Sequence, residues 1–207
     1  MRATVLLISI GLVVGGCKDP GADVTAATVD SPAETKAAAP GGEATNSLAI
    51  NPSNSKIEFV GAKVTGSHGG GFTDFAGKVV LAEPIENSQI ELTLQTASLY
   101  ADKEKLTKHL KSPDFFDVGK FPTATFRSIG IKKEGTGHTI TGDLTLHGVT
   151  KSISFPATIS VSDARVEAKA EFSINRQDFG IAYPGMPDDL IRDLVVIKLS
   201  LGLPRQS

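Results

Sequence analysis

The sequence predicts an all-β domain: about eight antiparallel strands closed into a barrel, with one short helix between strands. Two observations carry this. From residue 48 to residue 203 apolar and polar residues alternate with period two, as in an antiparallel sheet with one face in water. Clusters of Gly, Asn, Asp and Ser separate the alternating runs, as hairpins require. About eight strands left as an open sheet would expose two edges, which closure removes. Such a barrel is just wide enough to be filled by its own side chains or to hold one small ligand. A two-sheet sandwich is the competing architecture.

Residues 1–16 read as an export signal. Arg2 supplies a short positive region, and residues 5–14 (VLLISIGLVV) form an apolar run too short to span a bilayer as a helix. Gly15 and Gly16 then precede Cys17, the single cysteine of the chain. Small residues before a lone cysteine resemble the bacterial lipobox, in which the cysteine becomes the acylated first residue of the mature protein. Cys17 is therefore the expected lipidation site and membrane anchor. The alternative is an ordinary signal peptide with an incidental cysteine. Lys18, in place of Asp, resembles the sorting pattern for the outer membrane, facing the periplasm. Residues 17–47 are rich in Ala, Pro, Thr, Gly and Glu, with Val24 and Val29 the large apolar residues between 18 and 47. Too little apolar surface is available there to offset the entropy of ordering, so a flexible tether with a reach of about 30 Å is expected.

The barrel is expected over 48–203, with a tail at 204–207. Residues 55–64 (SKIEFVGAKV) place Ile57 and Phe59 on one face. Residues 89–96 alternate Ile90, Leu92 and Leu94 with Glu91, Thr93 and Gln95. Residues 98–112 carry Leu99, Leu106 and Leu110 among charges and read as a helix that stops before Pro113. Between Pro113 and Pro122 regular structure is broken. Phe115, Phe116 and Phe121 fall there, at one end of the barrel, as a plug or as the lip of an apolar cavity. Phe126 opens a strand facing inward. Residues 151–161 alternate Ile153, Phe155, Ala157, Ile159 and Val161. Residues 165–174 alternate Val166, Ala168, Ala170, Phe172 and Ile174 with polar partners. Turns are expected at 134–138 and 161–165. Residues 182–195, with two prolines, form a long connection.

The net charge of −2, from 21 basic and 23 acidic residues, supplies no basic stripe for nucleic acid. The four histidines, His68, His109, His138 and His147, have no metal-ligand spacing, and neither a phosphate-binding loop nor a nucleophile motif is present. His109 reads as a hydrogen bonder at a helix end or ligand mouth. Arg176 could meet a polar head group or fasten the barrel end through an ion pair with Asp178 or Asp114. The inward face offers Phe59, Leu92, Leu94, Phe126, Leu144, Leu146, Phe155, Phe172 and Ile174, and Phe72 joins the candidate mouth. Ordinary core packing accounts for the same residues.

Three segments together carry a family resemblance: residues 109–126 (HLKSPDFFDVGKFPTATF), 142–156 (GDLTLHGVTKSISFP) and 175–181 (NRQDFGI). In this order and spacing they resemble the YceI-like family of bacterial secreted or periplasmic proteins, over nearly all of the folded part. The resemblance implies an extended, lipocalin-like, eight-stranded antiparallel barrel. It also implies a long isoprenoid or other amphiphile, quinone-type lipids included, as ligand in the pore rather than a cofactor. Three functions follow as expectations: an envelope-anchored carrier of such a lipid, a self-filled interaction module, or an enzyme acting on a lipid through His109 or Arg176. No nucleophile–base pair supports the last. The oligomeric state stays open, a homodimer included.

Overall fold

The computed structural model describes residues 19–32 and 47–205. The expected signal segment, Cys17, about half of the tether and the last two residues lie outside the described residues. In chain order the elements are β1 (Thr28–Asp30), β2 (Ser47–Ile50), β3 (Ser55–Lys63), β4 (Gly66–Phe72), β5 (Phe75–Val80), β6 (Gln89–Gln95), β7 (Leu99–Ala101), α1 (Glu104–Leu110), β8 (Thr123–Glu134), β9 (Gly137–Leu146), β10 (Val149–Val161), β11 (Arg165–Asn175), β12 (Gly185–Met186), β13 (Asp189–Leu190) and β14 (Leu194–Pro204).

Pairing is antiparallel along β5, β6, β8, β9, β10, β11, β14, β3 and β4. Because β4 runs into β5 across Thr73 and Asp74, the sheet curls back on itself as a lipocalin-like barrel. The eight expected staves are recognisable, but three are broken: β2 from β3 by the 51–54 turn, β4 from β5, and β6 from β7 by the Thr96–Ser98 3-10 turn. Bends of this kind let a sheet coil tightly enough to close. The helix is shorter than expected. Leu99 lies buried opposite Phe72 in the β4–β7 ladder, so residues 99–101 continue the sheet and α1 begins only at Glu104.

Two glycines let aromatic rings lie flat on the wall. A Cβ on Gly70 would fall 2.4 Å from the Phe59 ring, and one on Gly142 would fall 2.4 Å from the Phe126 ring. The β9–β10 hairpin turns on His147 and Gly148, both at positive φ (50° and 74°), as a two-residue type I′ loop demands. The turns at 134–137 and 161–166 fall where the sequence places them. Val161, expected inward, is instead 46% exposed at the rim beside its hairpin.

One seam is incomplete. β10 pairs with β11 only from Thr158 to Val161, and the ladder stops short of Pro156, which has no amide hydrogen to offer. Beyond it the N-terminal segment fills the gap. β1 pairs with Ser152, Ile153 and Ser154 of β10. On the other side Ala27 N–H donates to Ser173 O (2.8 Å) and Ser173 N–H donates to Thr25 O (3.0 Å). Ala27 and Val29 turn inward onto the cluster that holds Phe155, Phe172 and Ile174. Part of the segment expected as tether is thus a stave of the wall. Backbone hydrogen bonds to two open strand edges, plus the side chains of Ala27 and Val29, replace the large apolar surface it lacks.

Candidate functional site

The barrel encloses a cavity of about 300 Å³, walled almost wholly by aliphatic and aromatic side chains from every stave. Thirteen of the fifteen side chains singled out in the sequence line it: Phe59, Phe72, Leu92, Leu94, Phe115, Phe116, Phe126, Leu144, Leu146, Phe155, Phe172, Ile174 and Arg176. His109 and Phe121 are not among the lining residues. Phe121 packs outside, its ring 4.4 Å from that of His147 and against the Cα of Gly148. His109 stands behind the lining, its Nε2–H donating to Asp114 Oδ2 at 2.9 Å and its ring meeting the Phe115 ring edge-on at 5.0 Å.

Three aromatic groups shape the interior. Phe155 and Phe172 stack at 4.2 Å with Phe126 tilted beside them, on the wall closed by β1. Phe59, Phe72 and Phe116 form a chain from the wall to the mouth, with centroids 6.3 and 6.1 Å apart. Phe115, His109 and Tyr183 form a third group, which ties the 112–122 loop to the 176–193 connection. Leu106 and Leu110 of α1 add the inner face of the same cover. Their i, i+4 spacing was visible in the sequence. The contributions of Ile181, Tyr183 and Ile191 were not, because a loop carries no periodic signal.

Arg176 is 5% exposed, and its guanidinium is engaged within the chain. It donates to Ile181 O (2.6 Å), Arg192 O (3.1 Å) and Ile191 O (3.4 Å), and pairs with Asp193 Oδ1 at 3.0 Å. Of the two sequence readings, the structure has the fastening one, with Asp193 as the partner in place of Asp178 or Asp114. Burial pushes the Arg176 pKa down while the Asp193 charge and hydrogen bond oppose it. Arginine keeps its proton in proteins regardless. Asn175 and Gly180 bracket this fastening: the Asn175 side chain accepts from Gln177 N–H, and Gly180 at φ 74° ends the 3-10 turn Arg176–Phe179.

Polar groups stand at both ends of the cavity: Ser88 and Lys169 at the far end, and others at the covered end. Lys63, His68 and Arg192 border the cavity at the covered end. His68 bonds Asp102 at 2.9 Å. Lys63 pairs with Asp189, which also accepts from the Thr65 hydroxyl. The bond from Lys63 holds the Asp189 carboxyl below its ordinary pKa. Among the described residues no group of three or more His, Cys, Asp or Glu is placed to hold a metal ion. The chemistry this arrangement offers is a greasy interior, a buttressed cover and a few polar groups at its ends.

Comparison with known proteins agrees with the architecture. The YceI-like domain profile matches residues 48–203. Over 125 residues the chain is 42% identical to a UPF0312 protein of Pseudomonas putida strain W619, covering 56% of this chain and 65% of that relative. A UPF0312 protein of Pseudomonas fluorescens strain SBW25 is 40% identical over 107 residues, covering 48% of this chain and 56% of that one. The matches thus span less than two thirds of those relatives' length. Among solved structures, BcnA of Burkholderia cenocepacia superposes with a TM-score of 0.66 at 23% identity, over 74% of this chain and 98% of its own. A polyisoprenoid binding domain from Saccharophagus degradans, implicated in plant cell wall breakdown, superposes with a TM-score of 0.61 at 14% identity, over 77% and 98%. With the profile covering the whole barrel, the chain belongs to the YceI-like family.

Proposed function

We propose that this protein is a lipid-anchored binding protein of the bacterial envelope, which holds a long-chain isoprenoid or similar amphiphile of quinone or polyprenol type for sequestration or transport. The observation that carries this reading is the apolar cavity behind an aromatic cover. A chain of CH2-sized groups gains about 0.8 kcal/mol for each one buried, so affinity needs few hydrogen bonds. The fold shared with a polyisoprenoid binding domain supports the same ligand class. The anchor reading rests on the apolar segment 5–14 and on Cys17. From there the reading extends to export and to a periplasm-facing outer-membrane location. It is a binding role, not catalysis: Arg176 is spent on the cover and His109 lies behind the lining.

At 300 Å³ the cavity is at the lower end of ligand pockets, which run from roughly 300 to 1,000 Å³. A long chain would fill it and leave through the rim. The test is to purify the protein from a bacterial host, extract it with organic solvent and identify bound lipid by mass spectrometry. Native mass spectrometry gives stoichiometry and oligomeric state. One long-chain lipid per one or two barrels supports the carrier role. A protein that is empty and takes up neither quinones nor polyprenols would overturn it, leaving the interaction module.

A further inference from the structure

We propose that the covered end of the barrel is a lipid-facing surface: the β12–β13 hairpin and Val64 rest in the bilayer interface and hold the cavity rim against it. This rests on the anchored reading of Cys17 given above.

The first argument is where the N-terminal chain leaves the barrel. A free tether of thirty residues would let the barrel stand about 30 Å off and tumble. The stave at 25–30 removes that freedom. Upstream of it, the Asp19 carboxylate lies 3.9 Å from Arg192 Nε. Gly21 passes so close to β14 that a Cβ there would fall 2.5 Å from that of Leu194. Arg192 N–H in turn donates to Ala62 O, near the end of β3. Asp19 therefore sits at the rim of the covered end. Cys17 is two residues away, a reach of about 7 Å at full extension. Acyl chains on Cys17 would enter the bilayer beside this rim.

The second argument is the rim's own surface. Six large apolar side chains are exposed among the described residues, and three of them stand here: Met186 (61%), Leu190 (50%) and Val64 (44%). Val64 N–H donates to Leu190 O, which joins the β3–β4 turn to the hairpin. Met186 stands opposite Asp189 and Leu190 opposite Gly185, so the hairpin is apolar at positions of both facings. Of the two hairpin carboxylates that would oppose insertion, Asp189 is paired with Lys63, and Asp188 stands exposed at the turn, where it would stay in the headgroup layer. The far end differs: its turns at 132–137 (KKEGTG) and 162–165 (SDAR) are mostly charged or small. Lys63, Ile191 and Arg192 line the cavity at this rim, so an apolar chain would pass between bilayer and cavity without crossing water.

The chain has no Trp, so Met186→Trp is a lone fluorescent reporter, and Val161→Trp marks the opposite end. Full-length protein of each variant is reconstituted in phosphatidylcholine vesicles with brominated acyl chains, and the mass of the N-terminal peptide reports acylation of Cys17. The expected result is quenching of Met186→Trp by half or more, with Val161→Trp unchanged. Acylated protein with equal quenching at both ends, or with none at Met186→Trp, overturns the proposal while leaving the anchor intact. If Cys17 carries no acyl chain, the anchor reading fails by itself. Quenching of Met186→Trp without the anchor still supports the surface, and its absence overturns both.

Discussion

β11 has two neighbours, and it meets them in different ways. With β14 it pairs without interruption, from Arg165 opposite Pro204 to Asn175 opposite Leu194. Just past that last pair, Arg176 N–H donates to Asp193 O and the two side chains join. With β10 it pairs over only four residues, and a borrowed segment completes the wall. The first seam is held by contiguous strands and a buried clamp. The second depends on the short borrowed segment 25–30. The first seam is expected to open only with global unfolding and the second locally.

The largest effect is expected from breaking the clamp of the complete seam. Arg176→Leu leaves three carbonyls of the cover without their donor and Asp193 with the Gln177 side-chain amide as its remaining partner. Breaking a buried pair costs about 3–5 kcal/mol, and the low end applies because Asp193 is half exposed and can rehydrate. Urea unfolding should show a lower midpoint with little change in slope. An unchanged midpoint would mean that the clamp contributes nothing to the cover.

The incomplete seam should respond differently. Val29→Asp places a charge against the Phe155 and Phe172 cluster and should expel β1. Amide exchange should then rise at 149–154 and 170–175 and stay unchanged along 194–204. The expected cost, about 1–3 kcal/mol, is that of burying an unpaired polar group, limited by the segment's freedom to leave. Exchange rising equally on both seams would show that the two are one cooperative unit.

A smaller change is expected from acid. The Asp189 pKa is depressed in the folded state, chiefly by the bond from Lys63. Its contribution is therefore present above the ordinary carboxylate value and is lost as pH falls through the lowered one. NMR of the amides of 63–65 and 185–190 should show them moving together in that acidic window. Asp189→Asn should abolish the transition.

The smallest effect should be a gain. Ser173 is 0% exposed, and its hydroxyl has no hydrogen-bond partner, although its backbone is bonded to residues 25 and 27. Ser173→Ala removes a buried polar atom with no bond to lose, and should raise stability by about 1 kcal/mol. A loss instead would reveal a partner for that hydroxyl.

Much of this was legible without coordinates. Period-two alternation is a local property of a strand, so the inward positions of Phe126, Phe155, Phe172 and Ile174 could be read one strand at a time. Pro113 and Pro122 bound an irregular segment because proline disrupts regular pairing wherever it falls. Other features were not local. Whether Leu99 belongs to helix or sheet depended on β4 lying beside it. Arg176 had several acidic candidates, and only the return of the chain at Asp193 selected one.

What the sequence by itself determined is the alternating inner face, the hairpin positions and the broken aromatic loop of an antiparallel all-β domain, with the lipocalin-like barrel implied by the resemblance of three motifs to this family. What only the tertiary structure decided is which edges were left open and what covers them. Residues 25–30 have too little apolar surface to order themselves. They are ordered because two distant strands diverge and leave backbone donors and acceptors that must be paired. That demand exists in space and not along the chain, so no stretch of the sequence announces it.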